Sequence, residues 1–246
     1  MDTAAHARSF GSAAAQYARA RPGYPDDAVG FLVPPAARRV LDLGAGTGKL
    51  TASLVARGLD VLAVEPSTRM LAQLRAALPG VEAREGTAEA TGLPDASVDA
   101  VVVAQAWHWV DPERAVPEVA RVLRPGGALG LVWNVRDDSV GWVRELWALA
   151  RLGREGEQEQ QMDAPAALAA PFGPLERFET AHVHVTDRAG VLDLIASRSY
   201  VIVLPEDERA RLLAAAADLL EHHPALRGRE EVAVPYRTLC ARSRRG

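Results

Sequence analysis

Apolar residues along the first half of the chain come in short runs separated by glycines and amphipathic stretches. Val40 to Leu43, apolar but for Asp42, leads into glycines at 44, 46 and 48. A helical stretch follows from Lys49 to Arg57 and ends at Gly58. That order predicts strand, loop, helix. Val61 to Val64 reads as a second buried strand. Ser67 to Leu78 carries Met70, Leu71, Leu74 and Leu78 at helical spacing before Pro79-Gly80 stops it. Val81 to Glu85 predicts a third strand and the β-branched run Val98 to Ala104 a fourth. Pro112 to Leu123 is a helix with proline at a favoured early position, and Pro125-Gly126-Gly127 turns into a strand at Ala128 to Trp133. Strands alternating with helices imply a mostly parallel sheet covered on both faces.

After Trp133 the rhythm changes. A helix is expected from about Val140 to Leu152, then a polar surface connection over Arg154 to Gln161. Phe178 to Val185 alternates as a strand, Ala189 to Ser197 and Glu206 to Glu221 read as helices, and Val232 to Ala241 suits a last strand. Neither an internal repeat nor a domain linker is visible, so residues 1–246 read as a single domain.

Composition narrows the function classes. A chain of 246 residues, 48% hydrophobic and 24% charged, is long enough to bury a core. Its net charge of −4 offers no general attraction to polyanions, so nucleic acid and anionic membrane are not expected partners. The lone cysteine, Cys240, cannot form an internal disulfide, no segment has the apolar length of a membrane span, and MDTAAHARSF lacks a secretory pattern. A cytoplasmic location is expected. His182 and His184 alternate and His222-His223 are adjacent, but no carboxylate completes a metal spacing, so no metal is expected. The absence of a Gly-x-Ser-x-Gly elbow removes support for nucleophilic hydrolysis.

The glycine loop carries the sharpest signal. A Walker phosphate loop needs glycine five residues before Gly48, where Leu43 stands. A dinucleotide fingerprint starting at Gly44 needs glycine where Lys49 sits. An NAD-dependent oxidoreductase is weakened further by the lack of a Tyr-x-x-x-Lys pair. What remains is a glycine loop preceded by an acid, Asp42, which suits a cationic amino group better than a pyrophosphate. Glu65 ends the second strand, where its two oxygens could accept the two hydroxyls of a ribose. Either acid alone could equally cap a helix or face solvent; the set in register over two strands is what is informative.

The segments VLDLGAGTGKLT, VLAVEPSTRML, GTAEATGLPDASVDAVVVAQAWHWVD and EVARVLRPGGALGLVWN resemble successive motifs of class I S-adenosylmethionine-dependent methyltransferases. The resemblance is closest over residues 8 to 135. It leans toward small-molecule enzymes of the UbiE/trans-aconitate type, including the stretch Tyr17 to Pro25. It implies a Rossmann-like α/β fold with a seven-stranded sheet in the order 3-2-1-4-5-7-6, the last strand antiparallel. It also implies an N-terminal lid over residues 1–35, a cofactor-binding core over 36–135, and an acceptor-site cover with the final strands over 136–246. By resemblance, Gly44, Ala45, Gly46 and Gly48 meet the methionine portion of the cofactor, Asp42 its amino group, and Glu65 the ribose. Pro66 lies against the adenine, as does Ser67 with less weight. Thr87-Ala88 replaces the Asp-Ala that the family often uses for the adenine amino group, leaving Thr87, Glu89 or backbone groups as candidates. Gln105 and Ala106 lie beside the sulfonium, and Tyr17, Arg21 and Tyr24 belong to the lid, with Arg21 a candidate for the cofactor carboxylate.

For the chemistry, His108 is the candidate general base if the acceptor needs one, with packing between indoles as the alternative. Trp107, Trp109 and Trp133 are candidate walls of an apolar acceptor pocket, core packing being the competing account for at least one. Asn134 follows the fifth strand at its carboxyl edge, and Arg136, Arg198 and Tyr200 could hold an acidic acceptor. The expected activity is methyl transfer from S-adenosylmethionine to a carboxylate or hydroxyl of a small molecule, such as a secondary metabolite, by in-line displacement, with S-adenosylhomocysteine as product. Use of the same cofactor in a cyclisation or decarboxylation, or a binding module without catalysis, are the alternatives.

Overall fold

The computed structural model describes residues 21–151, 165 and 168–246. The elements run α1 (Asp26–Leu32), β1 (Arg39–Leu43), α2 (Lys49–Ala56), β2 (Asp60–Glu65), α3 (Thr68–Ala77), β3 (Glu82–Glu85) and β4 (Val98–Ala104). They continue with α4 (Pro112–Val122), β5 (Leu123–Arg136), α5 (Gly141–Arg151), β6 (Glu176–Asp187), α6 (Arg188–Ala196), α7 (Ser199–Ile202), α8 (Glu206–His222) and β7 (Glu231–Arg244). The strands form one seven-stranded sheet in the order β3-β2-β1-β4-β5-β7-β6. The first five strands are parallel, and β7 runs antiparallel to both β5 and β6. This is the order that the resemblance implies.

The apolar runs are buried on both sides because successive side chains of a strand point to opposite faces. Leu41, Leu43, Leu62, Val64, Val101, Val103, Leu129, Leu131 and Trp133 share one core cluster with Val116 and Val119 of α4. The intervening residues Val40, Val61, Ala100, Val102 and Val132 pack on the opposite face with Val29 and Leu32 of α1 and Leu50 and Leu54 of α2. Asp42 has the parity of Val40 and therefore faces α2. Helix starts are set locally: Ser67 Oγ accepts from Met70 N at 3.4 Å, and Asp111, ahead of Pro112, accepts from Glu113 N at 3.0 Å.

A separate apolar cluster covers the β7 side. It joins Trp142, Leu146 and Trp147 of α5, Leu194 and Ile195 of α6, Val201 of α7, Leu220 of α8, and Val232, Val234 and Tyr236 of β7. The periodicity reading missed α1 and the short α7, and it ended β5 too soon. That strand starts before the Pro125-Gly126-Gly127 turn, where Leu123 pairs with Val98 of β4, and runs on to Arg136 because β7 pairs with it as far as Arg136↔Tyr236. The polar run expected at 154–161 lies outside the described residues. No described helix is long and apolar enough to cross a membrane.

Candidate functional site

The loop after β1 is the floor of the site. Gly44 N and Ala45 N both donate to Val64 O, at 2.8 and 3.1 Å, which fastens the loop to β2. Gly44, Gly46 and Gly48 have φ of +70°, +58° and +87°, a left-handed conformation that side chains disfavour. A Cβ on Gly44 would stand 2.9 Å from Ala106 Cβ, and one on Gly48 3.0 Å from Leu74 Cγ of α3. The loop thus lets β1 turn into α2 while α3 and the end of β4 close against it. Gly44→Ala should lower the melting temperature by roughly 4–8 °C, combining left-handed strain with the Ala106 collision, and thermal unfolding followed by circular dichroism checks this.

Two carboxylates lie behind the loop. Asp42 is fully buried; its Oδ2 accepts from Thr51 Oγ1 of α2 at 2.6 Å, while Oδ1 has no partner among the described residues. Burial, aided by the negative charge of Glu65 and opposed by the Thr51 hydrogen bond, pushes its carboxyl up to about 7. Glu65, 6% exposed at the end of β2, accepts from Gly46 N at 2.8 Å and from Ser67 N at 2.9 Å, one bond on each oxygen. Burial raises its pKa, and those two backbone donors oppose the shift. A carboxylate offers about four acceptor positions, so each oxygen of Glu65 retains room for a further donor.

In front of the loop is a cavity. Gly44 to Thr47 and Lys49 form its floor, Gln105 after β4 and Asn134 of β5 one side, and Tyr236 of β7 and Arg198 between α6 and α7 the other; Arg21 and Tyr24 come from the N-terminal segment. Asn134 Nδ2 donates to Gly23 O at 2.9 Å and its Oδ1 accepts from Thr238 Oγ1 at 2.7 Å, so β7, β5 and the N-terminal segment are tied through one amide. Gln105 has φ +59°, and its Nε2 donates to Asn134 O at 3.3 Å while its buried Oε1 has no partner among the described residues. A non-glycine residue held in this region carries local backbone strain, here beside the cavity.

Known proteins similar to this chain show the family it belongs to. A family model described as a methyltransferase domain matches residues 41–131. A protein of Mycobacterium tuberculosis described as an uncharacterized methyltransferase is 54% identical over 235 residues, covering 96% of this chain and 95% of its own. The chain belongs to this methyltransferase family. A trans-aconitate 2-methyltransferase of an Azoarcus species is 34% identical over 197 residues, covering 73% of the present methyltransferase and 76% of its own length. Among solved structures, a candidate type II methyltransferase from Anaeromyxobacter dehalogenans superimposes with a TM-score of 0.60 at 28% identity, over 92% of this chain and 97% of its own.

The methyltransferase brings some of the expected residues together and separates others. Gly44, Ala45, Gly46, Gln105 and Arg21 line the cavity, with Asp42 and Glu65 directly behind its floor. Gly48 faces α3 rather than the cavity, and Ala106 backs Gly44. Arg21 also bonds the turn between α6 and α7: its Nε donates to Ser197 Oγ at 3.1 Å and its Nη2 to Ser197 O at 3.2 Å. Tyr17 lies outside the described residues. Pro66 is exposed, and Ser67 spends its side chain on capping α3. Thr87 is exposed and bridges to Ala90, whereas Ala88 belongs to the core. Glu89 accepts from Asp111 N at 3.0 Å; burial would raise its pKa, but hydrogen bonds from Asp111 N–H and Thr87 hold it low. None of Pro66, Thr87, Ala88 and Glu89 lines the cavity.

The acceptor side departs most from expectation. His108 sits in a 3₁₀ turn, Trp107–Trp109, that carries the chain away from Gln105 and buries Trp107 in the core. It does not line the cavity, and burial pushes its imidazole down to about 4, so it is neutral at pH 7. Trp133 is 1% exposed and has the parity of Leu131, so it faces the core while its neighbour Asn134 faces the cavity side. Neither it nor Trp107 or Trp109 forms an apolar pocket wall there. Arg136 lies over the Trp147 ring at 4.8 Å, and Tyr200 packs against the α5–α8 cluster. Of the cationic acceptor candidates only Arg198 reaches the cavity. Sequence pattern alone does not mark Lys49 or Tyr236 as cavity residues, yet both line it. Lys49 registered only as a broken glycine fingerprint, and Tyr236 gains its place by pairing across from Arg136.

Proposed function

We propose that this methyltransferase transfers a methyl group from S-adenosylmethionine to a carboxylate or hydroxyl oxygen of a small-molecule acceptor, releasing S-adenosylhomocysteine. The observation that carries this reading is the fully buried Asp42 beneath the glycine loop, with one oxygen lacking any donor among the described residues. A buried carboxylate raised to about 7 is costly in the absence of a cation, and an ammonium beside the loop relieves that cost. Glu65, already holding the loop through Gly46, has acceptor capacity left for two hydroxyls. When bound, S-adenosylmethionine supplies a methyl group on a sulfonium whose leaving group is a neutral thioether. The chain's own task is then to align the acceptor and exclude water.

Gln105 and Asn134 form the side of the cavity between the loop and the cover, and the segment from Arg21 to Tyr24 closes over it through its bonds to Ser197 and Asn134. No imidazole lines the cavity among the described residues, which suits an acceptor oxygen that is already ionised. The trans-aconitate methyltransferase among the relatives supports a small acid as acceptor.

Calorimetric titration with S-adenosylmethionine, S-adenosylhomocysteine and NAD tests the cofactor, and a gain of one methylene in acceptor mass tests the reaction. Binding of NAD alone overturns the reading. His108→Ala should leave kcat within about threefold of the parent; a loss of the 10²–10⁴-fold typical of a general base would restore His108 to the reaction.

A further inference from the structure

The cavity wall carries Arg21, Lys49 and Arg198 and, among the described residues, no carboxylate. Arg21 already donates to the side chain and carbonyl of Ser197. Arg198 is different. It is 6% exposed, its Nε is buried without an acceptor, and its guanidinium makes no hydrogen bond or ion pair among the described residues. An arginine taken out of water to that extent is ordinarily paired. Tyr236, 2% exposed on the same cavity, has a buried hydroxyl that also lacks a partner among the described residues. Two strong donors without an acceptor among the described residues therefore share one wall.

We propose that Arg198, with the Tyr236 hydroxyl, anchors a carboxylate of the acceptor, a group distinct from the oxygen that is methylated. This rests on the functional reading above and names the acceptor class within it: a small acid with at least one carboxylate besides its reacting oxygen. Arg198 stands on the cover side of the cavity, and the glycine loop forms its floor. Arg198 joins α6 to α7, which pack with Tyr236 on β7. In the sheet order β7 stands three strands from β1, roughly 14 Å at strand spacing. The guanidinium fork matches a carboxylate with two parallel bonds. Those bonds draw negative charge from the oxygens they hold and make them poorer nucleophiles, so the held carboxylate orients the molecule while another oxygen reacts.

The test uses the full chain loaded with S-adenosylhomocysteine, titrated with glutarate, tricarballylate and their methyl esters. The parent protein is expected to bind at least one acid in preference to its ester. Arg198→Gln should weaken that acid by about tenfold or more, Arg198→Lys should weaken it less, and the affinity for S-adenosylhomocysteine should stay within about twofold. Ligand-free Arg198→Gln should unfold at the same or a higher temperature, because the guanidinium it removes has no partner among the described residues. Equal acid binding by parent and variant, no preference for acid over ester, or a lowered unfolding temperature overturns the proposal. A decarboxylated analogue of S-adenosylhomocysteine separates the two sources of carboxylate. If Arg198→Gln weakens S-adenosylhomocysteine but not this analogue, the anchored group is the cofactor's and the acceptor assignment falls. Should the parent not bind S-adenosylhomocysteine at all, the cofactor reading has failed, and the acid titration on ligand-free protein still tests Arg198.

Discussion

Asp42→Asn should weaken S-adenosylhomocysteine binding by about 100-fold or more while making the ligand-free protein more stable at pH 8. The first effect follows from removing one member of a buried charge pair, which costs about 3–5 kcal/mol. The second follows from the carboxyl itself, fully buried and pushed up from 3.8 to about 7. Its folded-state pKa lies above its unfolded value, so between roughly pH 4 and 7 the unfolded chain holds fewer protons than the folded one, and stability falls as pH rises through that window. Asparagine keeps an oxygen for the Thr51 hydroxyl, which now donates to Asp42 at 2.6 Å, and carries no charge to desolvate. Its unfolding temperature should therefore lack this pH dependence. Affinity runs the other way in the parent: an ammonium needs the ionised carboxylate, so binding should drop by about tenfold per pH unit below 7 and level off above it. Calorimetric titrations at pH 5.5, 6.5 and 7.5 on both proteins measure this directly, and an equal pH slope in the variant would show that Asp42 is not the group responsible.

Glu65→Ala should weaken the same ligand by about 100-fold and, unlike Asp42→Asn, lower the melting temperature by roughly 4–8 °C. Glu65 accepts from Gly46 N and Ser67 N. Alanine leaves two backbone donors without partners at the point where the glycine loop meets the start of α3. Glu65→Gln should fall between, since its amide keeps one acceptor but turns an N–H donor toward a backbone N–H. Opposite stability changes with parallel affinity losses would separate the two acids: one is kept for its ligand at a cost to the fold, the other serves both. A Glu65→Ala protein with unchanged stability would remove the clip from this account.

Most of the strand and helix pattern was readable because buried parallel strands must be apolar on both faces and glycine marks the turns between them. Val98 to Ala104 coincides with β4, and Pro112 with the start of α4. The reading faltered where partners are distant. Trp133 looked like a pocket wall, but alternation along β5 turns it into the core and presents Asn134 instead. His108 followed the right strand in sequence, yet the 3₁₀ turn moves it off the cavity. Arg136 looked as available as Arg198, but α5 supplies Trp147 for it to lie on.

By itself the sequence determined the alternating α/β order, the glycine loop between β1 and α2, and the two acids, one near the end of each of the first two buried strands. Each depends on residues near in the chain and on steric rules that hold without a partner. The tertiary structure alone decided which acid oxygen and which arginine lack a partner among the described residues, and which aromatic residue opens on the cavity. Those depend on what the remaining elements bring within hydrogen-bond reach. Thr51 meets Asp42 only because α2 folds back on β1, and Tyr236 reaches the cavity only because β7 pairs with β5, about a hundred residues away in sequence.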